Sequence, residues 1–323
     1  MNFLSMAKRL VPFLLFLVLC SQFGCTTNKY RQPISRFQAA AAVVSADARK
    51  TYTEINRQQR NALIRKHARQ GKSILQGDLD KVQPIKKEDL QARLDALDRL
   101  NDYVDLLVAI ANSDAPQNVA RSAEELTGAV ANLVNTVNGL GNPNNENFRN
   151  KVNGAFGVAS VLVSEVLKAF VQQKIKKGLE RAVLDGEKPI NELIDAIADD
   201  MRAYQVLNLA VFESERTDFL TLYNCEIAKK EATRCPNDDG TPFNQQRLES
   251  YKTQFINSDD LLENLRAADP RDSLLAMKGA HSKIVMLAKT DTPATFADAV
   301  AAIEAFADAA KRFGEAVEKL KTA

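Results

Sequence analysis

Residues 34–62 read ISRFQAAAAVVSADARKTYTEINRQQRNA, and the apolar and small side chains in this stretch recur at intervals of three, four or seven residues. This spacing places them on one face of an α-helix, because the helix turns once every 3.6 residues or so. The face consists of Phe37, Ala41, Val44, Ala48, Tyr52, Ile55 and Ala62. The pattern predicts a long amphipathic helix from Ile34 to about Gln76, where Gly77 and Pro84 break it.

The rest of the chain keeps the same helical period. No stretch alternates with a period of two for long enough to indicate a strand. Breaks at glycine, proline and asparagine predict further helices over 87–112, 116–138 and 146–185, from 189 toward Cys225, after Ser258, and over 269–288 and 293–320. Short connections favour antiparallel neighbours, so the expected fold class is all-α, an elongated antiparallel helical bundle of about seven to nine helices.

Two of these breaks bear on how the chain is divided. Gly186 is predicted to end one helix and Pro189 to open the next, following the usual preference for glycine after helices and proline at their start. The loop at 236–242 is rich in turn residues. It predicts a boundary between a main helical bundle, 34–235, and a smaller C-terminal helical part, 236–323.

The first 25 residues form a unit of a different kind. Lys8 and Arg9 precede an apolar block, Leu10 to Leu19, which is too short to cross a bilayer of about 30 Å and has the dimensions of a cleaved export signal. Gly24 and Cys25 follow, so a small residue stands directly before a cysteine. This stretch resembles the lipobox signal of bacterial lipoproteins.

The resemblance covers only the signal, but it implies a location. Residues 1–24 would be removed as a signal peptide, Cys25 would receive lipid on its thiol and fatty acid such as palmitate on its amino group, and residues 25–33 would form a lipidated tether. Several acyl chains together anchor a protein stably to a membrane. Thr26, which is not acidic, implies sorting to the outer membrane with the body facing the periplasm.

The remaining cysteines fit an oxidising compartment. Cys20 leaves with the signal and Cys25 is consumed by lipid, so Cys225 and Cys235 remain as an even pair. We expect a disulfide between them, which would stabilise a short loop by roughly 2.5–3 kcal/mol. Two unpaired thiols are the alternative interpretation.

Charge and motifs argue against most chemistry. Without residues 1–24 the 43 basic residues fall to 41, equal to the 41 acids, so no net field would attract nucleic acid. His67 and His281 lie far apart and have no metal-ligand spacing, and Gly71-Lys72-Ser73 lacks the first glycine of a phosphate-binding loop. We therefore expect no enzyme activity, no cofactor and no metal.

Two stretches stand out from this background. The first is a run of basic residues without an acid, which either contacts an anionic surface or pairs with acids elsewhere in the bundle. It consists of Arg57, Arg60, Arg65, Lys66, Arg69 and Lys72. The second is an apolar stretch, 126–171, whose pattern is similar to the hairpin of α-pore-forming toxins and is equally suited to helix packing in a core.

Together these features predict an envelope-anchored helical lipoprotein that acts as a binding or scaffolding factor in the periplasm. Its partners would be the membrane, through the lipid anchor, and an envelope protein or cell-wall component. The alternatives are a membrane-active protein that uses the hairpin 126–171 and, with less support, a cell-wall enzyme.

Overall fold

A computed structural model describes residues 28–112, 121, 132, 134–138, 145–156, 175–233, 235, 240–267 and 269–322. This part of the chain contains eight α-helices and no strand, so the predicted all-α bundle is confirmed. The signal sequence and Cys25 lie outside the described residues. So does most of the predicted helix 116–138 and of the hairpin 126–171. Among the described helices, none combines the length and the apolar character that a membrane crossing requires.

The helices differ greatly in length. The longest, α5, has 56 residues and spans about 84 Å at the usual helical rise. The helices are α1 (Asn28–Arg69), α2 (Gln76–Lys81), α3 (Lys87–Asn112), α4 (Glu146–Phe156), α5 (Ile175–Lys230), α6 (Gln245–Ala267), α7 (Pro270–Thr290) and α8 (Pro293–Thr322).

Helices α6 and α7 return along α5 from Glu226 back to Glu187. Ion pairs mark the path, and each step forward on α5 is matched by a step backward on the partner, which makes the pair antiparallel. The pairs are Arg247–Glu226, Arg216–Asp259, Arg202–Asp269, Lys278–Asp195 and Lys289–Glu187. The two segments therefore form one long helical hairpin with its turn at the cysteine pair.

Helix α1 runs parallel to α5. Its polar contacts on α5 always lie 148 to 150 residues further along the chain, from Tyr52–Asp200 through Arg65–Glu215 to Arg69–Asp218. Helix α3 packs against α1 in the opposite direction, as the contacts of Gln38 with Asp105 and of Arg49 with Asp98 show. The bundle thus has one end that contains Tyr30, and α1 runs from this end toward Arg69 and the turn of the long hairpin.

One main core joins these helices, and the C-terminal helices contribute to it. Leu274 and Met277 of α7 and Phe306 and Phe313 of α8 are buried in the same cluster as Phe37 of α1. The predicted division at 236–242 is therefore wrong. Because α6 and α7 fold back along α5, the C-terminal helices complete the first bundle instead of forming a second unit.

Gly186 and Pro189 do not interrupt a helix. Helix α5 passes through both residues, so the predicted break is wrong. The glycine is needed for packing: a Cβ atom at this position would lie 2.8 Å from Cε2 of the buried Tyr103 on α3. Pro189 lacks an amide hydrogen and removes one backbone hydrogen bond, which the surrounding packing tolerates.

Two further helix boundaries differ from the prediction. Helix α1 ends at Arg69, not near Gln76, because Gly71 adopts a left-handed conformation with φ of 61°. Ser258 does not start a helix: its hydroxyl donates to the carbonyl of Gln254, inside α6. The true cap is Asn244, whose side chain accepts hydrogen bonds from the amides of residues 246 and 247.

The predicted tether 25–33 is wrong from residue 28 onward. Helix α1 begins at Asn28 and includes Pro33. Tyr30 is only 7% exposed, and its hydroxyl donates to Oδ1 of Asp291 at 2.6 Å, at the turn between α7 and α8. Burial of this ring gives the segment a reason to fold that its polar sequence does not reveal.

The contact of Gly186 with Tyr103 can be tested by substitution. Gly186→Ala should lower the free energy of unfolding by about 1–3 kcal/mol, because a methyl group forces the packed tyrosine to shift. Gly279→Ala is the matched control, since no atom lies within 4 Å of the position that a Cβ would take at this helical glycine. The control should gain about 0.5–1 kcal/mol from helix propensity. Chemical denaturation measures both, and equal effects of the two variants would contradict the packing role.

Candidate functional site

The predicted basic run divides into two groups. Arg57 pairs with Glu54 on its own helix. Arg65 donates two hydrogen bonds to Glu215 on α5, at 2.8 and 2.9 Å, and Arg69 pairs with Asp218 at 2.8 Å. The parallel packing of α1 on α5 brings these acids opposite the arginines. For Arg57, Arg65 and Arg69 the expectation of contact with an anionic surface is therefore replaced by pairing within the bundle.

The other three basic residues, Arg60, Lys66 and Lys72, are exposed, and no acid in the described part of the chain pairs with them. They lie at the end of α1 with three exposed aliphatic side chains. We call this surface the α1 tip and define it as Arg60, Ile64, Lys66, Lys72, Ile74 and Leu75, of which Leu75 is 65% exposed. From Ile55 to Gly77 the sequence has no acid, so the α1 tip is cationic.

The chain folds back beside the helix at the α1 tip. The left-handed Gly71 reverses its direction, and the amide of Lys72 donates to the carbonyl of His67 at 2.9 Å. Nδ1 of His67 lies 3.1 Å from the carbonyl oxygen of Ser73. These contacts hold the segment that carries Ile74 and Leu75 close to the last turns of α1.

Cys225 and Cys235 lie at disulfide distance, with Cα atoms 5.2 Å apart and both side chains buried. Cys225 belongs to the last turns of α5, and Cys235 follows the helix. Beside them the buried Glu226 accepts hydrogen bonds from the Arg247 side chain and the Asn244 amide. The pair and this carboxylate therefore close the turn of the long hairpin.

A cavity of about 160 Å³ lies where α1, α5 and α8 meet the break between α6 and α7. Leu265 and Pro270 flank that break, and Phe313 and Val317 of α8 form the opposite wall. The cavity exists because α6 ends at Ala267 and α7 starts at Pro270. The segment that runs back along α5 is therefore not helical for a few residues and packs less closely there.

Three buried amide side chains form the polar side of this cavity. Asn208 donates to Oε1 of Gln58 at 3.1 Å and accepts from Gln59. Gln205 donates to the carbonyl of Leu265 at 2.9 Å and accepts from Arg202. Nε2 of Gln58 has no partner in the described part of the chain, although this residue is only 8% exposed.

His281 is buried in the main core and has partners on both ring nitrogens. The Tyr103 hydroxyl donates to Nε2 at 2.8 Å, and Nδ1 donates to Oδ1 of Asn191 at 3.0 Å, a tautomer assigned from the chemistry of the partners. The ring also stacks on Phe37. Burial lowers the pKa of His281 to about 4, against a small opposing effect of Glu187. His281 is therefore a neutral core residue.

The described residues contain no group of three or more histidine, cysteine, aspartate or glutamate side chains arranged to hold a metal ion. No protein family, curated protein or solved structure matches the chain.

Two features of the site could not be found from the sequence. The buried pair Arg93–Asp200, with bonds of 2.7 and 2.8 Å, joins residues 107 positions apart, and neither belongs to a motif. The cavity depends on where two helices end in space. A weak signal did exist: Gln58, Gln205 and Asn208 interrupt apolar faces of their helices, which often marks a buried polar contact.

The low pKa of His281 predicts a stability change in mild acid. The unfolded histidine titrates near its ordinary value of about 6.5, so between pH 6.5 and 4 the unfolded chain binds more protons than the folded chain. Stability from this group is complete above about pH 6.5 and falls by about 3 kcal/mol as the pH drops toward 4.

Denaturation midpoints of the wild type and His281→Gln between pH 4 and pH 8 measure this loss. The glutamine keeps a donor and an acceptor but does not titrate, so the difference between the two curves isolates the histidine. Parallel curves for wild type and His281→Gln would show that the buried ring does not titrate as argued.

Proposed function

We propose that the chain is an envelope lipoprotein, anchored in the outer membrane through Cys25, whose helical body acts in the periplasm as a binding or scaffolding factor. The observation that carries the proposal is the position of the first helix. Helix α1 begins at Asn28, three residues after Cys25. It is fastened to the bundle by the Tyr30–Asp291 hydrogen bond.

This position defines how a lipidated protein would stand on the membrane. Three residues span at most about 11 Å, so the end of the bundle that contains Tyr30 and Asp291 would lie close to the lipid headgroups. Helix α1 has 42 residues and extends for about 63 Å from that end. The α1 tip would therefore face away from the anchoring membrane, toward components deeper in the periplasm.

The chemistry of the α1 tip suggests what it contacts. Its lysines and arginine attract a negatively charged envelope component, and Ile64, Ile74 and Leu75 add apolar area at the same place. Lipid headgroups and acidic cell-wall polymer share the required negative charge. A contact there, together with the anchor at the other end, would let the rigid helices hold two envelope structures at a set distance.

The anchor is tested by expressing the full chain in a bacterial host and measuring the intact mass of the product. The wild type should lack residues 1–24 and carry the mass of its acyl chains, and it should fractionate with the outer membrane. Cys25→Ser should carry no acyl mass and leave that fraction, because the acceptor thiol is gone. Cys20→Ser is the matched control and should behave as wild type. An unacylated wild-type chain would refute the anchor.

The α1 tip is tested with the chain that begins at Thr26, which retains every described residue but cannot be anchored. Changing Arg60, Lys66 and Lys72 to glutamine should weaken binding to anionic vesicles by about tenfold or more, because each cation near such a surface contributes roughly 1 kcal/mol. Co-sedimentation with vesicles and with purified cell-wall polymer measures the effect and separates the two components.

The control for the tip carries the same charge change on a distant surface, at the exposed residues Lys188, Lys311 and Arg312. It should bind as the wild type does, and wild-type binding should weaken as the salt concentration rises. If both triple variants lose the same affinity, net charge alone explains the binding and the tip is not a specific surface. If the wild type binds neither component, this part of the proposal fails without affecting the anchor.

A further inference from the structure

We propose that the cavity between α1, α5, α8 and the α6–α7 break binds a compact, neutral organic molecule with an apolar body and one carbonyl-type acceptor. The inference starts from Gln58. Oε1 of its side chain accepts from Asn208, but its Nε2 has no partner in the described part of the chain. Gln58 lines the cavity, so an acceptor placed inside the cavity would match this donor.

The other polar groups of the cavity already have partners. The carboxamides of Asn208 and Gln205 each donate and accept a hydrogen bond within the protein. The hydroxyls of Thr51 and Thr53 donate to backbone carbonyls of their own helix. Among the amides described on the cavity lining, the nitrogen of Gln58 is therefore the one that donates no hydrogen bond within the protein, and a single acceptor on a ligand would match it.

The size and lining of the cavity determine how large and how apolar the rest of the ligand must be. A volume of about 160 Å³ resembles the apolar cavities of about 150 Å³ that bind benzene. Leu265, Pro270, Phe313 and Val317 offer no hydrogen bond to water, so an apolar group would replace water there with a gain. The ligand body is therefore about the size of one substituted ring or a short branched chain.

The charges at the entrance compensate one another. Lys50 donates to Asp47 at 2.7 Å, and Glu54 pairs with Arg57. Since both charged groups described on the lining have partners of opposite sign on α1, this part of the lining has no unpaired charge to bind an ionic group. A charged ligand would lose its hydration without a new partner, which favours a neutral molecule.

The test uses two probes and the chain that begins at Thr26, so that it does not depend on the lipid anchor. Acetophenone has a ring and a carbonyl acceptor, whereas ethylbenzene has a similar shape without the acceptor. Both should bind the wild type in calorimetric titration and should raise its melting temperature, because binding to the folded state stabilises it.

Two variants locate the site. Val317→Phe fills the cavity and should weaken both probes by about tenfold or more, since a filled cavity cannot hold a second ring. Gln58→Met removes the donor while keeping the side-chain length. It should lower acetophenone affinity about fivefold relative to ethylbenzene, the effect of one neutral hydrogen bond. Circular dichroism confirms that each variant is folded.

Each result decides the proposal. Loss of both probes in Val317→Phe, together with a changed probe ratio in Gln58→Met, supports it. If neither probe binds the wild type, the cavity holds only water and the proposal is overturned. An unchanged affinity in a folded Val317→Phe protein places the probes elsewhere and also overturns it, while an unchanged ratio in Gln58→Met removes the role of the amide. The ratio on the wild type and Gln58→Met remains decisive if Val317→Phe does not fold.

Discussion

The ion pair between Arg93 and Asp200 is the constraint on which the arrangement of the bundle depends. The Arg93 side chain is 1% exposed, and its guanidinium binds both oxygens of the Asp200 carboxylate. A buried charge is very costly unless it is paired and hydrogen-bonded. Burial alone lowers the pKa of Arg93, but the charge and hydrogen bonds of Asp200 outweigh this effect, so its pKa lies above the ordinary value. The arginine stays charged, and α3 must meet α5 at this level.

The same pair fixes α1 and α4 as well. Tyr52 of α1 donates to Asp200 at 2.8 Å, and Arg93 donates to Oδ1 of Asn145, the residue directly before α4. The rings of Phe148 and Tyr204 lie 5.0 and 5.1 Å from the guanidinium carbon. Groups of α1, α3 and α5 and the start of α4 therefore meet at this ion pair. Shifting any of these helices by one turn would leave a buried polar group without its hydrogen-bond partner. From Tyr52 to Arg69, the polar contacts of α1 with α5 join residues that are 148 to 150 positions apart in the sequence.

The apolar core is large on one side of Arg93 and small on the other. This difference explains which features of the structure could be predicted from the sequence. On the Tyr30 side a thick apolar core forms, and its members Phe37, Val44 and Tyr52 were evident from helical spacing alone. Toward the α1 tip, α3 is absent and the separate apolar cluster shrinks to Phe212, Leu262 and Leu265 with two partly buried leucines. Ion pairs and the cysteine pair hold that half.

The partners of these charged residues depend on how the helices align in three dimensions, so the pairing of Arg65 and Arg69 could not be predicted from the sequence. The predicted helix break at Gly186 was wrong for a related reason. In the sequence, a glycine that makes room for Tyr103 cannot be distinguished from a glycine that ends a helix.

The cavity lies where these two halves join, and its position follows from their difference. Just beyond Asp200 the buried face of α5 carries the amides of Gln205 and Asn208 before it becomes apolar again at Phe212 and Phe219. At the same level α8 approaches its end and the α6–α7 path breaks, so neither wall is continuous. A molecule held there would contact α1 and α5, which run through both halves, and also Leu265 of α6 and Val317 of α8. A bound molecule would therefore add packing contacts at the section where the helical walls are interrupted. A ligand at this position would stiffen the connection between the Tyr30 end and the α1 tip, the two surfaces whose separation the proposed scaffolding role requires.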